Sequence, residues 1–274
     1  MDRIFLIFIS KTMKKVLLIS AGFLWSLSIA CAQTPEYKTK LANSKDKKVV
    51  LELSASSVKI EGYNGDEVII QASSGFEAPP DRAKGLKPLY YSAVDNSGIG
   101  LSVTPEASGL KIEKATRKSI KYTIKMPRQV SVKFVETNWQ GGSGLTVSNM
   151  DGDLEIKTNN SNIVLNNITG PVVANTTSGE VTASFSSLAQ GKPTAISSIS
   201  GEIDITLPAT AKSNLKLRSI NGEMYTDFDL GKKNSVDGLS KVGGMANVEG
   251  AINGGGVEMT LNTISSNIYI RKQK

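Results

Sequence analysis

Between Gly144 and Thr226 a five-residue unit keeps returning: a small residue, a polar one, an apolar one, any residue, and a second apolar one. It reads Gly152-Asp153-Leu154-Glu155-Ile156, Ser161-Asn162-Ile163-Val164-Leu165, Gly170-Pro171-Val172-Val173-Ala174, Gly179-Glu180-Val181-Thr182-Ala183, Gly201-Glu202-Ile203-Asp204-Ile205 and Gly222-Glu223-Met224-Tyr225-Thr226. The lead residues are 9, 9, 9, 22 and 21 positions apart. Nine residues hold about five of strand and four of turn, too few to bury a face alone, so each unit must stack on its neighbours. Two such steps make a flattened coil of 18 residues, and the longer steps each make a full coil with wider corners. The sequence therefore predicts an all-β fold, a right-handed parallel β-helix or β-roll-like solenoid. Asn149, Asn159, Asn160, Asn166, Asn167 and Asn175 fall at the expected corners, where Asn tolerates left-handed backbone and can bond from coil to coil.

Upstream, short alternating runs predict an N-terminal strand region continuous with the solenoid. They include Val49 to Leu53, Val58 to Ile60, Val68 to Ile70, Leu101 to Val103, Leu110 to Ile112, Tyr122 to Ile124 and Val130 to Phe134. Asn64-Gly65 predicts a tight turn joining two of them. Phe76 to Leu89, with three prolines, and Leu230 to Gly250, with no periodicity, are expected to be loops. The pattern resumes after the second loop, at Gly255 to Met259 and Ser266 to Ile270.

Lys14-Lys15, the apolar run Val16 to Leu27 and the small residues Ser28 to Ala32 have the three regions of a secretory signal peptide. Residues 1–32 are thus expected to be a leader, with Met13 as an alternative start, and 33–48 a flexible basic linker. Residues 49–270 form one domain, with strands over 49–135 and stacked repeats over 144–270. Cleavage between Ala32 and Gln33 fits ordinary signal peptidase; Ala30-Cys31 instead resembles a lipoprotein junction, with Cys31 lipidated. Either route predicts an extracytoplasmic protein in the periplasm, on the outer membrane or secreted, with no transmembrane helix after cleavage. Without the leader's charges the formal net charge falls from +7 to +4, with 28 basic and 24 acidic residues. That mild basicity fits envelope glycans or surface proteins as partners and falls short of a nucleic-acid footprint.

The chain contains no His and one Cys, which removes the usual general base and the thiol and zinc chemistries. Carboxylates remain. Asp153, Glu180, Glu202 and Glu223 each follow a lead residue, so stacking can bring some onto one edge, where they would bind Ca2+ or act as an acid/base pair in a polysaccharide-active enzyme. The competing reading is that they are solvent-facing corner charges. Trp139, in the junction Asn138 to Gly141, either stacks on a sugar or packs across the seam between the two strand regions.

Three pieces carry a family resemblance: Ser57-Val58-Lys59-Ile60-Glu61-Gly62 with Gly65 to Ile70, the pre-repeat Tyr122-Thr123-Ile124-Lys125-Met126-Pro127, and the repeats with Thr177 to Val181 and Ser198 to Ile203. In these the chain resembles the bacterial "putative adhesin" family of domains of unknown function, related to auto-transporter adhesin heads with Gly-Ile-Asn-type turns. The resemblance implies an exported β-helical domain without agreed catalytic residues. The resulting expectation is a non-enzymatic, adhesin-like scaffold that binds a glycan or protein partner.

Overall fold

The computed structural model describes residues 34–41, 47–54, 56–75, 80–86, 93–138, 144–231 and 246–274. Among the described residues twenty strands carry nearly all the regular structure. In the N-terminal half they are β1 (Glu36–Lys40), β2 (Lys48–Leu53), β3 (Val58–Tyr63), β4 (Glu67–Ala72), β5 (Leu101–Glu106), β6 (Gly109–Lys114), β7 (Tyr122–Pro127) and β8 (Ser131–Glu136). The repeats supply β9 (Leu145–Ser148), β10 (Leu154–Lys157), β11 (Ile163–Ile168), β12 (Val172–Thr176), β13 (Val181–Phe185), β14 (Thr194–Ser198), β15 (Ile203–Leu207), β16 (Ser213–Ser219) and β17 (Met224–Thr226). The chain ends with β18 (Ala246–Ile252), β19 (Val257–Thr263) and β20 (Ile268–Lys272).

These strands form two mixed ten-stranded sheets. Sheet I runs β1-β4-β7-β3-β9-β11-β13-β15-β20-β17 and sheet II runs β18-β16-β19-β14-β12-β10-β8-β2-β6-β5. The side chains that alternate inward from both sheets meet in one continuous core. Through the repeats the chain visits the two sheets alternately. Leu145, Ile163 and Val181 lie in register on sheet I, and Leu154 and Val172 do so on sheet II, so the 18-residue coil read from the spacing is present.

Glycine leads five of the six units because successive coils approach too closely at these corners for a side chain. A Cβ on Gly201 would lie 1.8 Å from the Gly179 carbonyl oxygen, and one on Gly179 would lie 2.1 Å from that of Ser161. No real Cβ tolerates such a contact, and the opposing atom is backbone, which has no rotamer to yield. Of the expected corner asparagines, Asn149 and Asn167 adopt left-handed backbone, at φ 59° and 55°. They bond to each other across one coil, the Asn167 amide donating to the Asn149 side-chain oxygen at 2.6 Å.

The order of strands departs from the order of the chain at both ends. After β14 and β15 the chain steps past one place in each sheet to form β16 and β17, and the C-terminal strands return to fill the gaps. Strand β19 lies between β14 and β16, and β20 lies between β15 and β17. The N-terminal half mirrors this: β2 fills a place between β6 and β8, and β3 one between β7 and β9. The tight turn expected at Asn64-Gly65 therefore joins strands that are not neighbours, because β7 lies between β3 and β4. The few residues of the turn suffice to cross two strand spacings, about 10 Å. Repeats adjacent in sequence at 201 and 222 are likewise separated in space by β20.

Two further segments differ from the sequence reading. Residues 36–40, expected within the linker, pair antiparallel with β4 as an edge strand. It buries no residue fully, so it carries no apolar alternation to announce it. Residues 246–250, expected within a loop, begin β18, which pairs antiparallel with β16.

One buried polar row runs through sheet II. At the ends of its successive strands stand Glu136, Thr158 (one residue past β10), Thr176, Ser198, Thr263 and Ser219, all buried. The Ser198 hydroxyl accepts from the Gly201 N–H at 2.8 Å and donates to the Gly179 carbonyl at 3.2 Å; Ser219 repeats the arrangement with Gly222 and Ser266. Thr263 sits in the same place, yet its hydroxyl oxygen has no hydrogen-bond partner among the described residues. Ser198→Ala should therefore cost about 1–3 kcal/mol by orphaning buried groups, whereas Thr263→Val should be neutral or stabilise by up to about 1 kcal/mol. Urea unfolding of the two variants checks the opposite signs.

Candidate functional site

The four acidic positions singled out in the sequence do not converge. Glu180, Glu202 and Glu223 precede β13, β15 and β17, so they lie along one corner of sheet I, interleaved with Asn162 and Asn267 in the order of the strands. Asp153 precedes β10 at a corner leading into sheet II, where its carboxylate binds Lys192 at 2.6 Å. The corner backbone belongs to the stacking ladder: the carbonyls of Glu180, Glu202 and Glu223 accept from Ile163, Val181 and Ile268. Asn162 and Asn267 accept the N–H groups of Glu180 and Glu223 through their side-chain oxygens, at 3.0 Å and 2.9 Å. All three glutamates are exposed, and Asn267 stands between Glu202 and Glu223. Among the described residues no group of three or more His, Cys, Asp or Glu is placed to hold a metal ion. Trp139, Cys31, Ala32 and Gln33 lie outside the described residues.

Two polar groupings were not singled out in the sequence. Arg128 grips Asp151 through two N–H groups at 2.9 Å and 3.1 Å, and Thr169 donates to the same carboxylate at 2.7 Å. The guanidinium holds the Asp151 carboxyl below its ordinary range. This cluster clamps three successive coils at one corner. Inside sheet II, the buried Lys114 ammonium donates to the Ser54 carbonyl at 2.8 Å and the Ser56 hydroxyl at 2.6 Å. Burial penalises its charged form and pulls its pKa down to about 8. The unfolded chain, with Lys114 near 10.5, then binds more protons between the two values, so this residue makes stability rise as pH rises from about 8 toward 10.5. Lys114→Met should abolish that rise while leaving the acid limb unchanged, as measured by urea midpoints at pH 7, 8, 9 and 10.

Stacked aromatic and ionic side chains decorate the outer face of sheet I at its C-terminal edge. Tyr225 on β17 and Tyr269 on β20 are paired in register, their rings 5.3 Å apart and within 10° of parallel. Asp204 on β15 is the next register partner of Tyr269 and holds the Arg271 guanidinium at 2.9 Å. The two tyrosines are 44 positions apart, and only the insertion of β20 beside β17 brings them together.

The part of the chain that carries this edge has a family counterpart. Residues 144–270 match the family model described as Toastrack DUF4097. The Toastrack match thus covers the repeats from their first corner to β20, and the two sheets continue beyond it through β8, β2, β3 and β7. Solved structures with similarity include a "putative cell adhesion protein" from Clostridium sporogenes, 13% identical, covering 88% of this chain and 100% of that chain with a TM-score of 0.46. A "putative adhesin" from Bacteroides fragilis is 13% identical over 88% of this chain and 97% of its own, with a TM-score of 0.34. A "putative lipid binding protein" from Parabacteroides distasonis is 11% identical over 87% and 97%, with a TM-score of 0.28. No curated protein matches the chain. Among the described residues no helix is long and apolar enough to cross a membrane.

Proposed function

We propose that this protein is an exported, non-enzymatic β-solenoid scaffold of the cell envelope or extracellular space, adhesin-like, which presents its sheet faces to a glycan or protein partner. The observation that carries this reading is the disposition of the polar side chains. The acidic candidates for chemistry stand on two different corners, the three glutamates exposed on one and the half-buried Asp153 paired with Lys192 on the other, and the outer faces of the sheets offer broad rows of Ser, Thr, Asn and paired ions. Such a surface is built for contact over an area, which suits a rigid scaffold better than the enclosed site that catalysis demands. The coils are taken to wind right-handed, as crossovers between parallel strands do, and kinship with Gly-Ile-Asn-type adhesin heads belongs to the same proposal. Residues 1–32 are the leader, removed between Ala32 and Gln33, or retained from Cys31 onward as a lipidated end.

Intact mass measurement of protein recovered from the native host distinguishes the two processing routes, since lipidation at Cys31 adds a large apolar mass and cleavage before Gln33 adds none. Binding is tested by a glycan array together with capture from envelope extract. Specific retention of a glycan or surface protein is the expected result. Turnover of a polysaccharide in the absence of any retained partner would contradict the proposal.

A further inference from the structure

The C-terminal edge of sheet I has the build of a binding platform. Strand β17 is the last strand of the sheet, so the ring of Tyr225 ends the aromatic stack, and this residue is 52% exposed. Tyr269 stands behind it, with the Arg271 guanidinium 5.2 Å from its ring centre. Arg271 leans toward Asp204 on β15, the side away from Tyr225, and bonds to both of its oxygens. The order across the edge is carboxylate, guanidinium, ring, ring, and then solvent. A shallow recess of about 230 Å³ lies here, lined by Tyr225, Thr226, Asp227, Tyr269, Ile270 and Arg271.

The chemistry of these groups selects among ligands. The negative face of an aromatic ring attracts weakly positive C–H groups, and the flat face of a pyranose presents several of them. Of the charges around the recess, Arg271 is neutralised by Asp204, and the Asp227 carboxylate, which accepts from the Lys272 backbone N–H at 2.8 Å, keeps its negative charge. An anionic ligand would have to displace Asp204 from Arg271 and face the Asp227 carboxylate, whereas a polyol can bond to the outer edges of these groups without separating them. The Tyr269 hydroxyl accepts from Asn267 at 2.9 Å and keeps its own proton to donate. The recess is smaller than the sites that enclose whole drug-sized ligands, a size suited to one sugar ring of a longer chain lying across the edge.

We propose that this edge binds a neutral hexopyranose or pentopyranose unit of a polysaccharide, with Tyr225 as the stacking face and Tyr269, Arg271 and Asp204 as its rigid backing. The proposal rests on the scaffold reading and gives it a site and a ligand class. Affinity electrophoresis of the purified protein in gels containing soluble β-glucan, galactomannan or xylan tests it, with polygalacturonate as the anionic contrast. Retardation is expected in at least one neutral gel. Tyr225→Ala should weaken it at least tenfold, and Tyr225→Phe, which keeps the ring, should retain most of it. Because Tyr225 is an exposed residue on an edge strand, unchanged urea midpoints should accompany these effects. Failure to bind any neutral gel, preference for polygalacturonate, or equal retardation of Tyr225→Ala would each overturn the platform. Equal retardation of the variant would leave the scaffold reading standing with its site elsewhere; loss of glycan and envelope-protein binding alike would remove both. Concentration-dependent self-association that Tyr225→Ala abolishes, without glycan binding, would reassign the edge to a second copy of the chain and also overturn the proposal.

Discussion

Gly201→Ala should destabilise the protein by about 3 kcal/mol, a large effect for the addition of one methyl group. The new Cβ would sit 1.8 Å from the Gly179 carbonyl oxygen and 2.4 Å from its carbon, so two coils must move apart where Val181 donates to the Glu202 carbonyl. Backbone freedom does not explain the need for glycine, because Gly201 is not among the residues with positive φ; the cause is the approach of the next coil. Gly191 supplies the control. It has open space where a Cβ would stand and no positive φ, so Gly191→Ala should be neutral or stabilise slightly by restricting the unfolded chain. Urea unfolding with unchanged slope reads both.

Removal of residues 257–274 should abolish cooperative folding of the C-terminal half. The deletion takes away Met259, Leu261, Ile268 and Ile270, all buried to within 1%, and the transfer term alone is about 2 kcal/mol for each. Their sum rivals the whole stability of an ordinary domain. The deletion also opens a gap in each sheet: β15 and β17 lose the strand between them, as do β14 and β16. Deleting 34–40 removes a strand too, but an outer one with no fully buried residue, and should shift the urea midpoint only slightly. Limited proteolysis and circular dichroism of the two truncations provide the comparison. A protein that tapered toward its C-terminus would show the reverse ranking.

Much of the coil could be read in the residues because its cause is local. The nine-residue step and the alternation at Leu154-Glu155-Ile156 or Val181-Thr182-Ala183 dictate strand length and which side chains turn inward. The glycine leads, taken only as turn residues, are contact points between coils. The buried hydroxyl row was also present in the sequence as Ser or Thr three residues before the corner Gly or Ser, at 158, 176, 198, 219 and 263, a spacing visible once the unit is extended backward. The strand order was not legible. Every unit has the same apolar-any-apolar pattern, so periodicity permits Ile203 to pair with Met224 as readily as with Ile268; connection lengths and corner fit decide the matter. For the same reason Tyr225 and Tyr269 gave no hint of each other, and the acidic corner looked more like a site than the aromatic edge does.

Hydrogen exchange tests the placement of the chain's end most directly. If β19 and β20 are interior strands, amides of residues 257–263 and 268–272 should be protected to the same degree as those of β13 and β14, and should open with them as one unit. Exchange of those residues on the timescale of a fraying terminus, while β16 and β17 remained protected, would contradict the account.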